Sequence, residues 1–213
     1  MNRSKLKIIL SNASNLKQII NIFNIFLIGF LFTILSMSNS FANTVIPPFT
    51  KKIVKSTIIW EGKKVAGKHS GTINLKSGEL TFNEDGDLSG GTFKLDMNSI
   101  LCTDLSVSSA NKLIGHLKSE GFFGVEKYPI STLQITEASA KGNGVYQVTA
   151  DVTIKGITKQ VIFETTVTDD TATANITLNR SAFNVKYGSG SFFKSLGNKM
   201  IKDKFTLQVE LKF

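Results

Sequence analysis

The residues best equipped for chemistry are few and far apart. The chain has two histidines, His69 and His116, and a single cysteine, Cys102. No histidine, cysteine or carboxylate pair stands at the local spacing of a metal site, so no metal is expected. Serines are plentiful, yet there is no G-x-S-x-G elbow and no cysteine–histidine pairing at a known spacing. Gly188-Ser189-Gly190 lacks the Lys-Ser/Thr that follows a phosphate-binding loop and reads as a surface turn. The paired carboxylates Asp169-Asp170 sit among turn residues and read as solvated. Cys102 reads as a small buried hydrophobe. These residues predict a protein that is not an enzyme, with no catalytic residues and no cofactor.

The elements that would position any site are strands. Phe205, Leu207, Val209, Leu211 and Phe213 alternate with Thr206, Gln208, Glu210 and Lys212. Tyr146 to Ile154 and Phe93 to Met97 alternate in the same way, with shorter pieces at Ile73/Leu75, Leu80/Phe82, Leu133/Ile135, Val161/Phe163 and Ile176/Leu178. Period-two alternation gives each strand one apolar and one wet face. Turn chemistry separates them: Ser77-Gly78, Glu84-Asp85-Gly86-Asp87, Gly142-Asn143-Gly144, Lys155-Gly156 and Asp169-Asp170. Seven to nine strands joined this way form an all-β antiparallel meander that must close on itself or pack as two sheets. From Ser106 to Lys118 the period changes: Val107, Ala110, Ile114 and Leu117 recur at helical spacing, with Asp104 or Ser106 as cap. Phe122 and Phe123 follow. The chain has sixteen Phe against one Trp and three Tyr. Phe has no polar tip, so many of these rings belong where no hydrogen bond is needed.

The first 42 residues read as a signal peptide. Arg3, Lys5, Lys7 and Lys17 precede an apolar run from Ile22 to Met37, and Ser40-Phe41-Ala42 is a small-x-small cleavage site. The other reading is an uncleaved anchor, for which the run is short. Cleavage near Ala42 leaves residues 43–52 as an extended lead-in and 53–213 as the domain, in the periplasm or outside the cell. It also removes four of the 25 basic residues and none of the 16 acidic ones, so the surplus falls from nine to about five. That surplus suits solubility, or transient attraction to an anionic membrane surface. Scattered lysines without an aromatic–basic motif exclude a nucleic-acid footprint.

Residues 53–213 resemble the YceI-like family. The resemblance rests on Gly115-His116-Leu117-Lys118-Ser119, on Phe122-Phe123-Gly124-Val125-Glu126-Lys127-Tyr128-Pro129 and on Val152-Thr153-Ile154-Lys155-Gly156. Asn179-Arg180-Ser181-Ala182-Phe183 and His69-Ser70 add to it. It implies a lipocalin-like barrel of about eight strands with a short helical insertion, binding a polyisoprenoid, an isoprenoid quinone or a fatty amide for storage or transport. The expected apolar wall is Phe93, Leu95, Leu117, Phe122, Phe123, Leu133, Ile135, Val148, Phe163 and Phe183. His116 is either a head-group donor or a hydrogen-bonded histidine fixing the helix to the barrel. Arg180 would pair with a phosphate or an acidic neighbour, the second being favoured. Many members carry an Arg-Asp pair where this chain has Leu113 and Ile114, so that head-group role does not transfer. The competing readings are an outer-membrane barrel and a secreted structural or stress module with a dry core. A monomer or homodimer is expected.

Overall fold

The computed structural model describes residues 47–213, except Ala66 and Ser195. The expected signal peptide and cleavage site lie outside the described residues. Among the described residues nine strands form: β1 (Phe49–Lys52), β2 (Lys55–Lys64), β3 (Gly67–Phe82), β4 (Leu88–Cys102), β5 (Ile130–Gly142), β6 (Val145–Ile154), β7 (Ile157–Val167), β8 (Thr171–Asn179) and β9 (Ile201–Lys212). Helix α1 spans Val107–Lys118, between β4 and β5. The strands run β3-β2-β9-β8-β7-β6-β5-β4, and β4 pairs back onto β3, closing an eight-stranded antiparallel barrel. β1 prolongs the line of β2 along β3, so part of the expected lead-in is sheet.

Hairpins fall where the turn residues are. Asn143-Gly144 and Lys155-Gly156 both have positive φ at two successive positions, the backbone that matches strand twist in a two-residue hairpin. Ser77-Gly78 is different. It does not separate two strands: β3 runs through it as one strand of 16 residues. The register against β4 shifts between Thr72 and Asn74 and again between Leu75 and Ser77. Such bulges bend a long strand around a small barrel. Gly78 serves close packing there, since a Cβ at that position would sit 2.7 Å from the Phe93 ring.

Alternation dictates the wall. Leu80, Phe82, Phe93, Met97, Val148, Val152, Ile176 and Leu178 are buried, while Gln147, Gln160, Glu164, Gln208, Glu210 and Lys212 are exposed. An outer-membrane barrel has the reverse polarity, with an apolar band outside and a polar lumen. This wall offers no such band.

The two ends of the barrel differ. One end gathers the β2–β3 tip, the β4–β5 connection with α1, the β6–β7 turn and the β8–β9 connection. The other gathers the β3–β4, β5–β6 and β7–β8 turns with β1 and the C-terminus. At this second end Phe49 stacks on Phe82 at 5.3 Å, Phe82 meets Phe213 at 6.0 Å, and Tyr146 donates to Asp87 at 3.0 Å. Residues 45–213 form one compact unit, and among the described residues both core clusters and the ring closure lie within it.

Candidate functional site

Among the described residues, two apolar cavities of about 130 Å³ and about 80 Å³ lie inside the barrel. The larger sits under the helical cap, walled by Trp60, Ile100, Leu117, Phe122, Phe123 and Leu178 among others. The smaller lies deeper, against Ile58, Phe93, Ile135, Phe163, Val209 and Leu211. Both are bounded by Leu95, Leu133, Ile176 and Leu207, which form a waist between them. The strand period explains this lining: residues two apart on β4, β5, β8 and β9 point inward together.

The cap is built by local hydrogen bonds. α1 starts after Ser106, whose side chain makes no capping bond. The alternative cap, Asp104, is engaged elsewhere: it accepts from Cys102 Sγ at 3.1 Å and faces His69 Nδ1 at 3.3 Å. This cluster clasps β3 to the start of the cap. Burial pushes the Cys102 thiol up, and the Asp104 bond adds to it, so no activated thiolate results. At the helix end the chain doubles back. Phe123 N–H donates to Leu117 O at 3.1 Å and Val125 N–H to Lys118 O at 2.9 Å, which folds Phe122 and Phe123 down over the larger cavity.

Of the expected wall, Phe93, Leu95, Leu117, Phe122, Phe123, Leu133, Ile135 and Phe163 line a cavity. Val148 and Phe183 do not; they are packed in solid core. Trp60, Met97, Ile176, Leu178 and Leu207 belong to the lining without having been singled out. The signal for Ile176, Leu178 and Leu207 was their inward phase on β8 and β9.

Arg180 is only 2% exposed. Its Nε donates to Lys202 O, its Nη1 to Val185 O and Tyr187 O, and its Nη2 to Ile201 O, at 2.8–3.2 Å. Nη2 also lies 3.2 Å from Asp203 Oδ1, an ion-pair distance without the alignment of a hydrogen bond. The guanidinium has five N–H groups, so this environment leaves it little to offer a ligand. Burial pulls its pKa down, against the pull of Asp203. Burial raises the Asp203 carboxyl, but the neighbouring Ser189 hydroxyl, the hydrogen bond from Ser191 Oγ and the Arg180 charge outweigh it and hold it below the usual range. Gly188-Ser189-Gly190 is a turn with Gly190 exposed, as its composition suggests, but the Ser189 side chain is fully buried in this clasp.

His116 lies beside the cavity, its ring 4.1 Å from Tyr187 and 5.6 Å from Phe122. Its Nε2 is buried and has no hydrogen-bond partner among the described residues. The helix is therefore held here by ring packing. Among the described residues no cluster of histidine, cysteine or carboxylate groups has the arrangement of a metal site.

What this interior can do is hold apolar matter by area and shape. An engineered apolar cavity of about 150 Å³ admits one benzene ring, so the larger cavity is close to ring size and the smaller holds a few methylenes. A longer chain must run through both, with the four waist side chains swinging aside.

The comparisons agree with this geometry. Residues 50–213 match the YceI-like domain family. The crystal structure of Burkholderia cenocepacia BcnA superposes with a TM-score of 0.61 at 21% identity, over 74% of this chain and 96% of that one. A polyisoprenoid-binding domain from Saccharophagus degradans, implicated in plant cell wall breakdown, gives 0.52 at 9% identity, over 78% and 97%. These likenesses show the fold. A UPF0312 protein of Vibrio parahaemolyticus is 30% identical over 94 residues, covering 44% of this chain and 47% of its own length. One of Photorhabdus laumondii is 33% identical over 93 residues, covering 43% and 45%. The aligned region thus spans about half the length of these curated relatives. With the family matched across the whole barrel, the chain belongs to the YceI-like domain family.

Proposed function

We propose that this protein is exported, loses residues 1–42, and stores or carries one long apolar amphiphile inside the barrel. A polyisoprenoid, an isoprenoid quinone and a fatty amide all have the required tail. The observation that carries the reading is the pair of abutting apolar cavities inside a barrel whose outer face is polar. A dry structural module has no need of a waist dividing two voids, each of which forfeits packing energy. The polyisoprenoid-binding description of the Saccharophagus degradans domain supports the ligand class. Each tail methylene taken from water contributes about 0.8 kcal/mol, so affinity follows chain length and needs no strong head-group contact. The reading is of a binding protein rather than an enzyme, without a resident cofactor, working as a monomer or homodimer.

The test is native mass spectrometry of protein purified from the periplasm, followed by lipid extraction. A co-purifying amphiphile of defined mass is expected, on a chain beginning near Asn43. An empty barrel that also fails to take up decylubiquinone or farnesol sinks the proposal.

A further inference from the structure

The β8–β9 connection is built differently from the other loops. Between residues 180 and 204 the sole acidic residue is Asp203, and it is turned inward to Ser191 and Arg180. Lys186, Lys194, Lys202 and Lys204 are exposed and have no acidic partner at ion-pair distance among the described residues. Among these lysines stand Phe192 and Phe193, 43% and 49% exposed, with Tyr187 at 52%. The two Phe rings are held out by construction. Both their N–H groups donate to Ser189 O, at 3.2 and 3.0 Å, and Ser189 belongs to the buried Arg180–Asp203 clasp. Lys186 Nζ lies 5.3 Å from the Phe192 ring centre.

The position of this loop gives it a partner. Val65 at the β2–β3 tip is also exposed, and its N–H donates to Met200 O, which joins that tip and its Lys64 to the same surface. Arg180, Ile201 and Lys202 border the larger cavity, so the surface rims the capped end of the lipid space. The opposite end carries Glu84, Asp85, Asp169 and Asp170 on exposed turns, and there Lys52, Lys55 and Lys212 stand beside them and offset their charge. A barrel with unpaired lysines on one rim and offsetting charges at the other end is oriented by a negative surface.

We infer that the Tyr187–Lys204 segment is a docking surface for an anionic phospholipid bilayer, with Phe192 and Phe193 entering the head-group layer and the lysines meeting its phosphates. Paired aromatic rings ringed by lysine match an interface that is apolar beneath and negative above. The inference rests on the carrier reading for its purpose: a carrier that presents its cavity rim to the bilayer exchanges cargo without exposing the tail to water.

Residues 45–213, which contain the whole barrel, are tested by co-sedimentation with vesicles of phosphatidylglycerol and phosphatidylcholine, and of phosphatidylcholine alone. Three variants are compared with the unaltered chain: F192S/F193S, K186Q/K194Q/K204Q, and K52Q/K55Q/K212Q as a charge-matched change at the far end. Binding to the anionic vesicles is expected, weakened at least about tenfold by each of the first two variants and by raised salt, and by less than about twofold by the third. No binding to anionic vesicles, equal loss in all three variants, or self-association that F192S/F193S abolishes would each overturn the inference. Quenching of Trp60 by decylubiquinone is followed in the same variants. It should be unchanged in F192S/F193S, because neither ring lines a cavity; if vesicle binding persists while no quenching occurs in any protein, the cavity reading fails and the docking surface stands.

Discussion

The two ends of the barrel solve closure in opposite ways. The far end is shut by direct packing: Phe49, Phe82 and Phe213 cover it, and Tyr146 donates to Asp87. The capped end is shut by imported pieces, α1, the Phe122–Phe123 turn and the β8–β9 connection, held by Arg180, Asp203 and the aromatic contacts of His116. A plug made of core residues moves only when the core moves. A lid made of separate segments pinned by a few polar contacts moves when those contacts yield. The difference makes the far end the rigid one and, on the proposed carrier function, the capped end the place where ligand passes.

The sharpest way to break this contrast is to remove a pin. Arg180→Met leaves Asp203 without its cation and four backbone carbonyls without a donor; the loss is expected to be about 3–5 kcal/mol in denaturant unfolding. Tyr146→Phe at the far end removes one hydrogen bond and should cost about 1–2 kcal/mol by the same measurement. Equal effects would mean that the Arg180 clasp is not what secures the capped end.

A charge placed in the deeper cavity tests the inward face on which both ends rest. Phe163→Asp should abolish folding or ligand uptake, whereas Glu164→Lys, one residue on and exposed, should do neither, as read by circular dichroism and probe binding. Acid should act on the capped end through Asp203. Its folded pKa lies below its unfolded value, so its contribution is present above the ordinary aspartate range near about 4 and is lost as pH falls through the depressed value. Asp203→Asn should flatten the dependence of stability on pH in that acid window while leaving the far end's response unchanged. The smallest effect belongs to His116→Phe. Ring packing against Tyr187 and Phe122 is kept and a buried, unpartnered Nε2 is removed, so stability should hold or rise by up to about 1 kcal/mol.

Much of the wall was legible because alternation is a local property. Phe205 to Leu211 reads as a one-faced strand whatever its neighbours do, and Lys155-Gly156 reads as a hairpin because few other turns use that backbone. Ser77-Gly78 misled because a bulge and a turn draw on the same residues; the choice is made by the partner strand β4. Val148 points inward as its alternation says, yet periodicity fixes a face and not whether that face meets a void or another side chain; Phe183, expected from the resemblance, lies in a short 3-10 helix and is buried in the core. Ser189 was illegible for a different reason. Its burial depends on Arg180 and Asp203, and nothing near it in sequence announces that clasp.

Trp60 is the single tryptophan of the chain and it lines the cavity under the cap, so it reports on the site without any label. Titration of residues 45–213 with decylubiquinone, followed by Trp60 fluorescence, tests the central claim most directly. Saturable quenching at one quinone per barrel, lost when Ile176→Phe fills the waist of a barrel that still folds, is the predicted result. Quenching that never saturates, or that Ile176→Phe leaves untouched, would contradict an enclosed apolar ligand.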